Sequence, residues 1–171
     1  SIALFGANVV DARTYTTKDG IATSAFWIQN KERRPFETSD TGKLDTLVKK
    51  SLSGEFVTRD ALIKKGKIKK NERDFKIPTT ITFDNNGSDI YTIIEVDTRD
   101  RLGLLFDLTR TLSSANISIS SAIVATYGEQ AVDSFYVKDL VGLKIHSKAR
   151  QKQIVEKLKS AIQTGAAKAL Q

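Results

Sequence analysis

The chain has 171 residues, of which 40% are hydrophobic, enough for one medium domain or two small ones with packed cores. It has no cysteine, which excludes disulfides and thiolate metal sites, and no apolar run near the roughly 20 residues of a membrane span. The net charge of +7 sits mostly in Lys64 to Lys76, whose seven positive and two negative residues supply +5 and leave +2 for all the rest. That distribution argues for one basic segment and against a nucleic-acid-binding surface spread over the fold. The chain starts at Ser1 without an initiator methionine and without a secretory signal pattern, so the expectation is a piece of a longer, cytoplasmic protein.

In chain order, SIALFGAN reads as the end of a helix closed by Asn8. Val9 to Thr17 and Ile21 to Gln29, rich in β-branched and aromatic residues, flank Lys18-Asp19-Gly20 and form a hairpin. Pro35 and Gly42 bound a polar loop, after which Leu44, Leu47, Val48 and Leu52 trace an amphipathic helix that Gly54 ends. Thr58 caps a short helix to Ile63, the basic run follows, and Pro78 closes the connector. Thr79–Asp84 and Ile90–Asp97 are strands around the turn Asn85-Asn86-Gly87-Ser88.

The stretch Glu95–Asn116 (EVDTRDRLGLLFDLTRTLSSAN) carries the chemistry. A strand passes through a polar turn and becomes a helix at Gly103, with Leu104, Leu105, Leu108, Leu112 and Ala115 on one face. The turn brings free backbone N–H groups, the positive end of a helix dipole and the carboxylates of Asp97 and Asp100 together, a setting for a small zwitterion. Gly103 is a turn glycine, or a place where a missing side chain lets a ligand reach the backbone. Asp100 either caps the helix or accepts hydrogen bonds from a ligand's ammonium or amide. Asn116 suits a left-handed corner as well as a ligand contact; Thr98 reads as exposed and polar, and Ile117 offers its backbone.

Ile117–Thr126 and Ala131–Val137 then form a second hairpin turning near Gly128, Val141–Ile145 is a short apolar return, and Ser147 caps a last helix with Ile154, Leu158, Ala161 and Ile162 on its apolar face. An internal repeat ties the chain together: Ala7-Asn8-Val9 matches Ala115-Asn116-Ile117 and Gly20 matches Gly128. With one residue of slippage, Phe26-Trp27-Ile28 matches Phe135-Tyr136-Val137, and the alternation places one aromatic of each pair in the core. The fold class is α+β, two units of ferredoxin-like βαββαβ type, the first without its leading strand and most of its first helix. The last helix leaves no room for a fourth strand, so Thr79–Asp84 is expected to fill that edge. The boundaries are 1–57 for the first unit, 58–78 for a basic linker and 79–171 for the second unit with its extra N-terminal strand.

The pattern D-x-x-D-R-x-G-L-L at Asp97–Leu105, followed by Ala115-Asn116-Ile117, resembles the ACT family of small-molecule-sensing domains. TYTTKDGIATSAFWIQ, FDNNGSDIYTIIEVDTRDR and ATYGEQAVDSFYVKDLVGLKI resemble more closely the C-terminal tandem ACT region of the bacterial bifunctional uridylyltransferase/uridylyl-removing enzymes, in wording nearest their alphaproteobacterial branch. The resemblance implies a glutamine-sensing regulatory module. Its partners would be the upstream catalytic domains, the PII nitrogen-signalling protein reached through the parent enzyme, and another ACT unit or a second copy. It implies a ligand site at Thr98, Asp100, Leu102, Gly103, Leu104, Asn116 and Ile117, with Asn8 the counterpart of Asn116 in the first unit. In the family, the Asn116 position often faces an Asp100-type turn of a neighbouring domain. Leu102 stands where the family usually has proline, and Ala115 where it often has glycine.

No GxSxG, P-loop, HExxH or paired-carboxylate pattern is present, so no catalysis is expected of this chain and no cofactor, any Mg or Mn belonging to the parent enzyme. His146 stands alone and reads as structural. Two alternatives stay open: a dimerisation or docking module without ligand, and nucleic-acid binding through the basic linker, where Lys67, Lys69 and Lys70 would be needed.

Overall fold

The structure, a computed structural model, describes residues 1–17, 19–30, 32, 34–36, 41–54 and 77–169. The expected helix Thr58–Ile63 and the basic run Lys64–Lys76 lie outside the described residues. The chain opens with α1 (Ile2–Phe5), β1 (Asn8–Thr16), β2 (Ala22–Gln29) and α2 (Thr41–Leu52). It continues through β3 (Thr80–Asp84), β4 (Thr92–Arg99), α3 (Leu104–Ser114), β5 (Ile117–Tyr127), β6 (Gln130–Asp139) and α4 (Lys148–Ala169). Among the described residues no helix is long and apolar enough to cross a membrane.

Turn chemistry sets these boundaries. Gly6, at φ 96°, makes the reversal out of α1, so Asn8 does not close the helix but opens β1 opposite Gln29. The Asp84 carboxylate accepts hydrogen bonds from the N–H groups of Asn86 and Gly87 at 2.7 and 3.1 Å, an Asx turn that folds β3 back onto β4.

All six strands form one antiparallel sheet in the order β2-β1-β5-β6-β4-β3. β3 lies outside β4, the edge position that the fourth strand of a ferredoxin-like unit takes, as the sequence leads one to expect. The repeat is visible as well: β1 and β5, the like strands of the two copies, both carry a register shift near their start and pair with each other, Arg13 opposite Ile123.

One face of the second copy is the core. Ile94 and Val96 of β4, Phe135 and Val137 of β6, and Ile117 and Ala122 of β5 pack against Leu104, Leu108 and Leu112 of α3 and Ile154, Leu158 and Ile162 of α4. The expected inward aromatic is Phe135, fully buried. Its first-copy counterpart differs: Phe26 and Trp27 remain 45% and 49% exposed, because α2, the described helix of that copy beyond the single turn of α1, has no buried residue. The expected return at Val141–Ile145 is also not extended. The Asp139 carboxylate accepts from the N–H groups of Val141 and Leu143, turning the chain, and of the apolar residues there only Ile145 enters the core.

Leu108 is fully buried at the centre of the α3 contact. Leu108→Ala is expected to lower the unfolding free energy by about 3 kcal/mol with an unchanged denaturant slope, measured by urea titration.

Candidate functional site

The turn between β4 and α3 is held at both ends. The Asp100 N–H donates to the Glu129 carbonyl at 2.7 Å, tying the turn to the β5–β6 reversal. Gly103 occupies the N-cap position at φ 81°, ψ 3°, a left-handed conformation that costs an L-residue about 1–2 kcal/mol. No side chain caps α3, so Asp100 does not serve as the cap. The Leu104 N–H bonds to the Arg101 carbonyl and that of Asp107 to Gly103; the N–H groups of Leu105 and Phe106 find no main-chain acceptor among the described residues.

Those two residues line a cavity of about 460 Å³, within the usual range of roughly 300–1,000 Å³ for small-molecule sites. One wall is the turn itself, Asp100 through Phe106, with Thr109. The opposite wall belongs to the first copy: Ser1, Ile2 at the start of α1, Ala7 and Val9 at the α1–β1 corner, Phe26 and Val48. Val124 and Thr126 of β5 and Ala131 and Asp133 of β6 form the floor. The sheet order explains the meeting. Because β1 runs antiparallel to β5, the start of β1 lies beside the end of β5, where the Thr126 hydroxyl donates to the Val9 carbonyl at 3.5 Å.

Asp133 is the residue that sequence reasoning passes over. It sits in mid-strand between Val96 of β4 and Val124 of β5, 2% exposed, and its Oδ1 has no hydrogen-bond partner among the described residues. Burial pushes its carboxyl up to about 7, the nearby Asp100 carboxylate adds to the rise, and a hydrogen bond from the Ala125 backbone opposes it. Burial likewise raises Asp100, opposed by the backbone N–H and charge of Arg101. The signal was present in sequence: Ala131, Asp133, Phe135 and Val137 share one parity, and a carboxylate there has to face the core.

Arg101 does not neutralise these carboxylates with a close ion pair. Its guanidinium bonds to Asp107 at 2.6 Å, with side chains 7% and 15% exposed. The pair passes directly over Gly165 of α4, where any Cβ would collide with the Arg101 guanidinium and the Asp107 carboxylate.

Of the residues expected to form the site, Asp100, Leu102, Gly103 and Leu104 line the cavity. Asn8 starts β1 between Ala7 and Val9, both of which line it. The others do not. Thr98, expected exposed, is 1% exposed on the core face and shares a 2.7 Å hydrogen bond with the Thr79 hydroxyl. Asp97 points to the opposite face, where the Gln130 side-chain amide donates to it at 2.7 and 2.9 Å. Asn116, at φ 58°, and the buried Ile117 stand at the far end of β5, roughly 30 Å of strand away. His146 is exposed, and the described residues contain no cluster that would hold a metal ion.

Comparisons with known proteins agree with this architecture. The family model described as "ACR9-like, ACT-like domain" matches residues 80–166, the second copy. The chain is 60% identical over 169 residues to a bifunctional uridylyltransferase/uridylyl-removing enzyme of Ruegeria pomeroyi, covering 99% of this chain and 19% of that protein. It is 61% identical to the one from Cereibacter sphaeroides, covering all of this chain and 18% of the relative. The protein of that name from Azospirillum brasilense is 42% identical over 165 residues, 95% of this chain and 18% of the relative. The chain thus spans about a fifth of the length of these relatives. No solved structure matches it.

Two outcomes follow from the geometry. The Asp133 carboxyl titrates higher folded than unfolded, so its ionisation opposes folding: stability is greatest below about pH 4 and falls as pH rises through about 7, by about 4 kcal/mol in all. Asp133→Asn is expected to lack that fall, so urea titrations across this window should show the variant gaining on the wild type; parallel curves would refute it. Gly165→Ala is expected to part Arg101 from Asp107 and cost about 1–3 kcal/mol, read as a lowered melting temperature.

Proposed function

The chain belongs to the family of ACT-like domains, and we propose that it is the amino-acid-sensing, regulatory part of a bifunctional uridylyltransferase/uridylyl-removing enzyme, with glutamine as its ligand. The observation that carries this reading is the cavity between the Asp100–Phe106 turn and the first copy. The unbonded N–H groups of Leu105 and Phe106, at the positive end of the α3 dipole, suit an α-carboxylate. Gly103 lets that carboxylate come close to the main chain. Asp100 accepts from the ammonium, and the apolar walls at Ile2, Val9 and Leu105 take the side chain. Uridylyl transfer and removal, on the PII protein, would lie in other parts of the longer enzyme, in the cytoplasm.

A ligand seated between two copies binds one relative packing of them better than another. It shifts the equilibrium by that difference in affinity, which a neighbouring catalytic domain can feel. The exposed alternation of Phe26 and Trp27 gives no comparable argument for nucleic acid, whose candidate lysines lie outside the described residues.

Isothermal titration with glutamine, against other amino acids, tests the reading. Saturable heat is expected with glutamine, together with a stability gain of about 2.7 kcal/mol at a hundredfold excess over Kd, and Asp100→Asn is expected to weaken binding about tenfold or more. No heat with glutamine, either in this chain or in the longer enzyme, would sink it.

A further inference from the structure

The cavity holds more negative charge than the turn alone accounts for. Two carboxylates border it, Asp100 and Asp133, in walls that are otherwise mostly apolar. Asp133 is 2% exposed, flanked by two valines in the ladder, and its Oδ1 lacks a partner among the described residues. A carboxylate oxygen held in that state costs free energy unless a donor reaches it or a proton covers it.

The guanidinium nearest the pair is committed to another carboxylate. Arg101, on the same turn, gives its Nη2 to Asp107 of α3, and its buried Nε is left without a partner among the described residues. Arg13 of β1 lies 3.9 Å from Asp11. α2 contributes only Val48, and β5 only Val124 and Thr126.

We infer that Asp133, with Asp100, forms the ammonium-binding end of the cavity, and that the incoming ammonium displaces a proton the carboxyl pair holds when the cavity is empty. The inference rests on the amino-acid reading above and adds the residue and the proton to it. Empty, the pair keeps a single proton because two close carboxylates in a dry site do not both ionise. On binding, that proton leaves to solvent and the three N–H bonds of the ammonium replace it, so charge in the pocket stays balanced. The rise of the Asp133 carboxyl to about 7 is in keeping with such a shared proton. The class of ligand follows from the same count: an amino acid with an uncharged side chain, since a side-chain carboxylate would add a third negative group.

The sign is fixed by linkage. Below about pH 7 the proton must be removed first, so glutamine affinity is expected to rise up to about tenfold per pH unit from about pH 5.5, and to level off near pH 8. Titration of the whole protein with glutamine, in buffers of different ionisation enthalpy, should show close to one proton released at about pH 6 and none near pH 8. Glutaramate, which is glutamine without its ammonium, should bind at least about tenfold more weakly near pH 8 and gain nothing as pH rises. Asp133→Asn, which the burial argument expects to fold at least as stably, should lose both the pH dependence and the proton release; a profile that survives in it would show that the proton is not held at Asp133. Binding of glutamine that is independent of pH, or undiminished in Asp133→Asn, overturns this inference while leaving the amino-acid reading intact. Absence of glutamine binding at every pH overturns both.

Discussion

The pairing of β1 with β5 is the constraint on which the rest of the molecule depends. Like strands of two copies meet antiparallel, so one sheet of six strands runs through both copies. An antiparallel junction reverses ends: the beginning of one copy's strand lies beside the finish of the other's. Ala7 and Val9 therefore stand over the Asp100 turn, and a cavity exists that neither copy builds alone. Within the second copy, α3 runs back from the end of β4 to the start of β5 and so carries Asn116 to the other end of the sheet. A site between repeats is also where a ligand can act on packing, since what it touches on each side belongs to a different unit.

The cavity floor is a core position occupied by a carboxylate. Asp133 shares a strand face with Ala131, Phe135 and Val137, each at most 2% exposed, and hydrophobic burial would favour an apolar residue there. The surrounding contacts of Phe135, Leu108 and Leu158 are extensive enough to tolerate the cost. Local penalties of this kind persist at binding sites, where a group held uncomfortably in the empty state gains most when its partner arrives. The end of α3 is likewise left uncapped: Gly103 holds the N-cap position in a left-handed conformation that a capping Ser or Asp would enter only with strain, so the N–H groups of Leu105 and Phe106 stay without an acceptor among the described residues.

Much of this was legible in the residues. The strand–turn–helix at Glu95–Asn116 was visible because a period-2 run gives way to a 3.6-period one at a glycine. The repeat is legible because turn residues recur at a fixed offset, and the β3 edge strand because the last helix leaves no room for the fourth strand that a ferredoxin-like unit needs. The side chains of β4 and β6 were read less well, though alternation alone would have sorted them. Thr98 is in phase with Ile94 and Val96 and so turns inward, Asp97 is out of phase and turns away, and Asp133 follows Ala131 inward. Which asparagine meets the turn was not legible from alternation or repeat, because the answer lies in how two copies join, a long-range pairing that no local pattern encodes.

The turn is also linked away from the cavity. Asp100 faces the pocket, and the next residue, Arg101, reaches back to Asp107 across Gly165 near the end of α4. A buried ion pair of this kind has few alternative geometries, since parting it strands two charges in a dry site. Any shift of the turn must then be followed by Arg101, by Asp107 on the first turn of α3, and by the segment of α4 packed over them. The three elements move as a unit or the pair breaks. Gly165 is what allows the contact, for a Cβ there would occupy the space of the Arg101 guanidinium and the Asp107 carboxylate and push them aside. The Arg101–Asp107 pair thus joins the turn that lines the cavity directly to α3 and to the last helix, through side-chain contacts and not through the sheet.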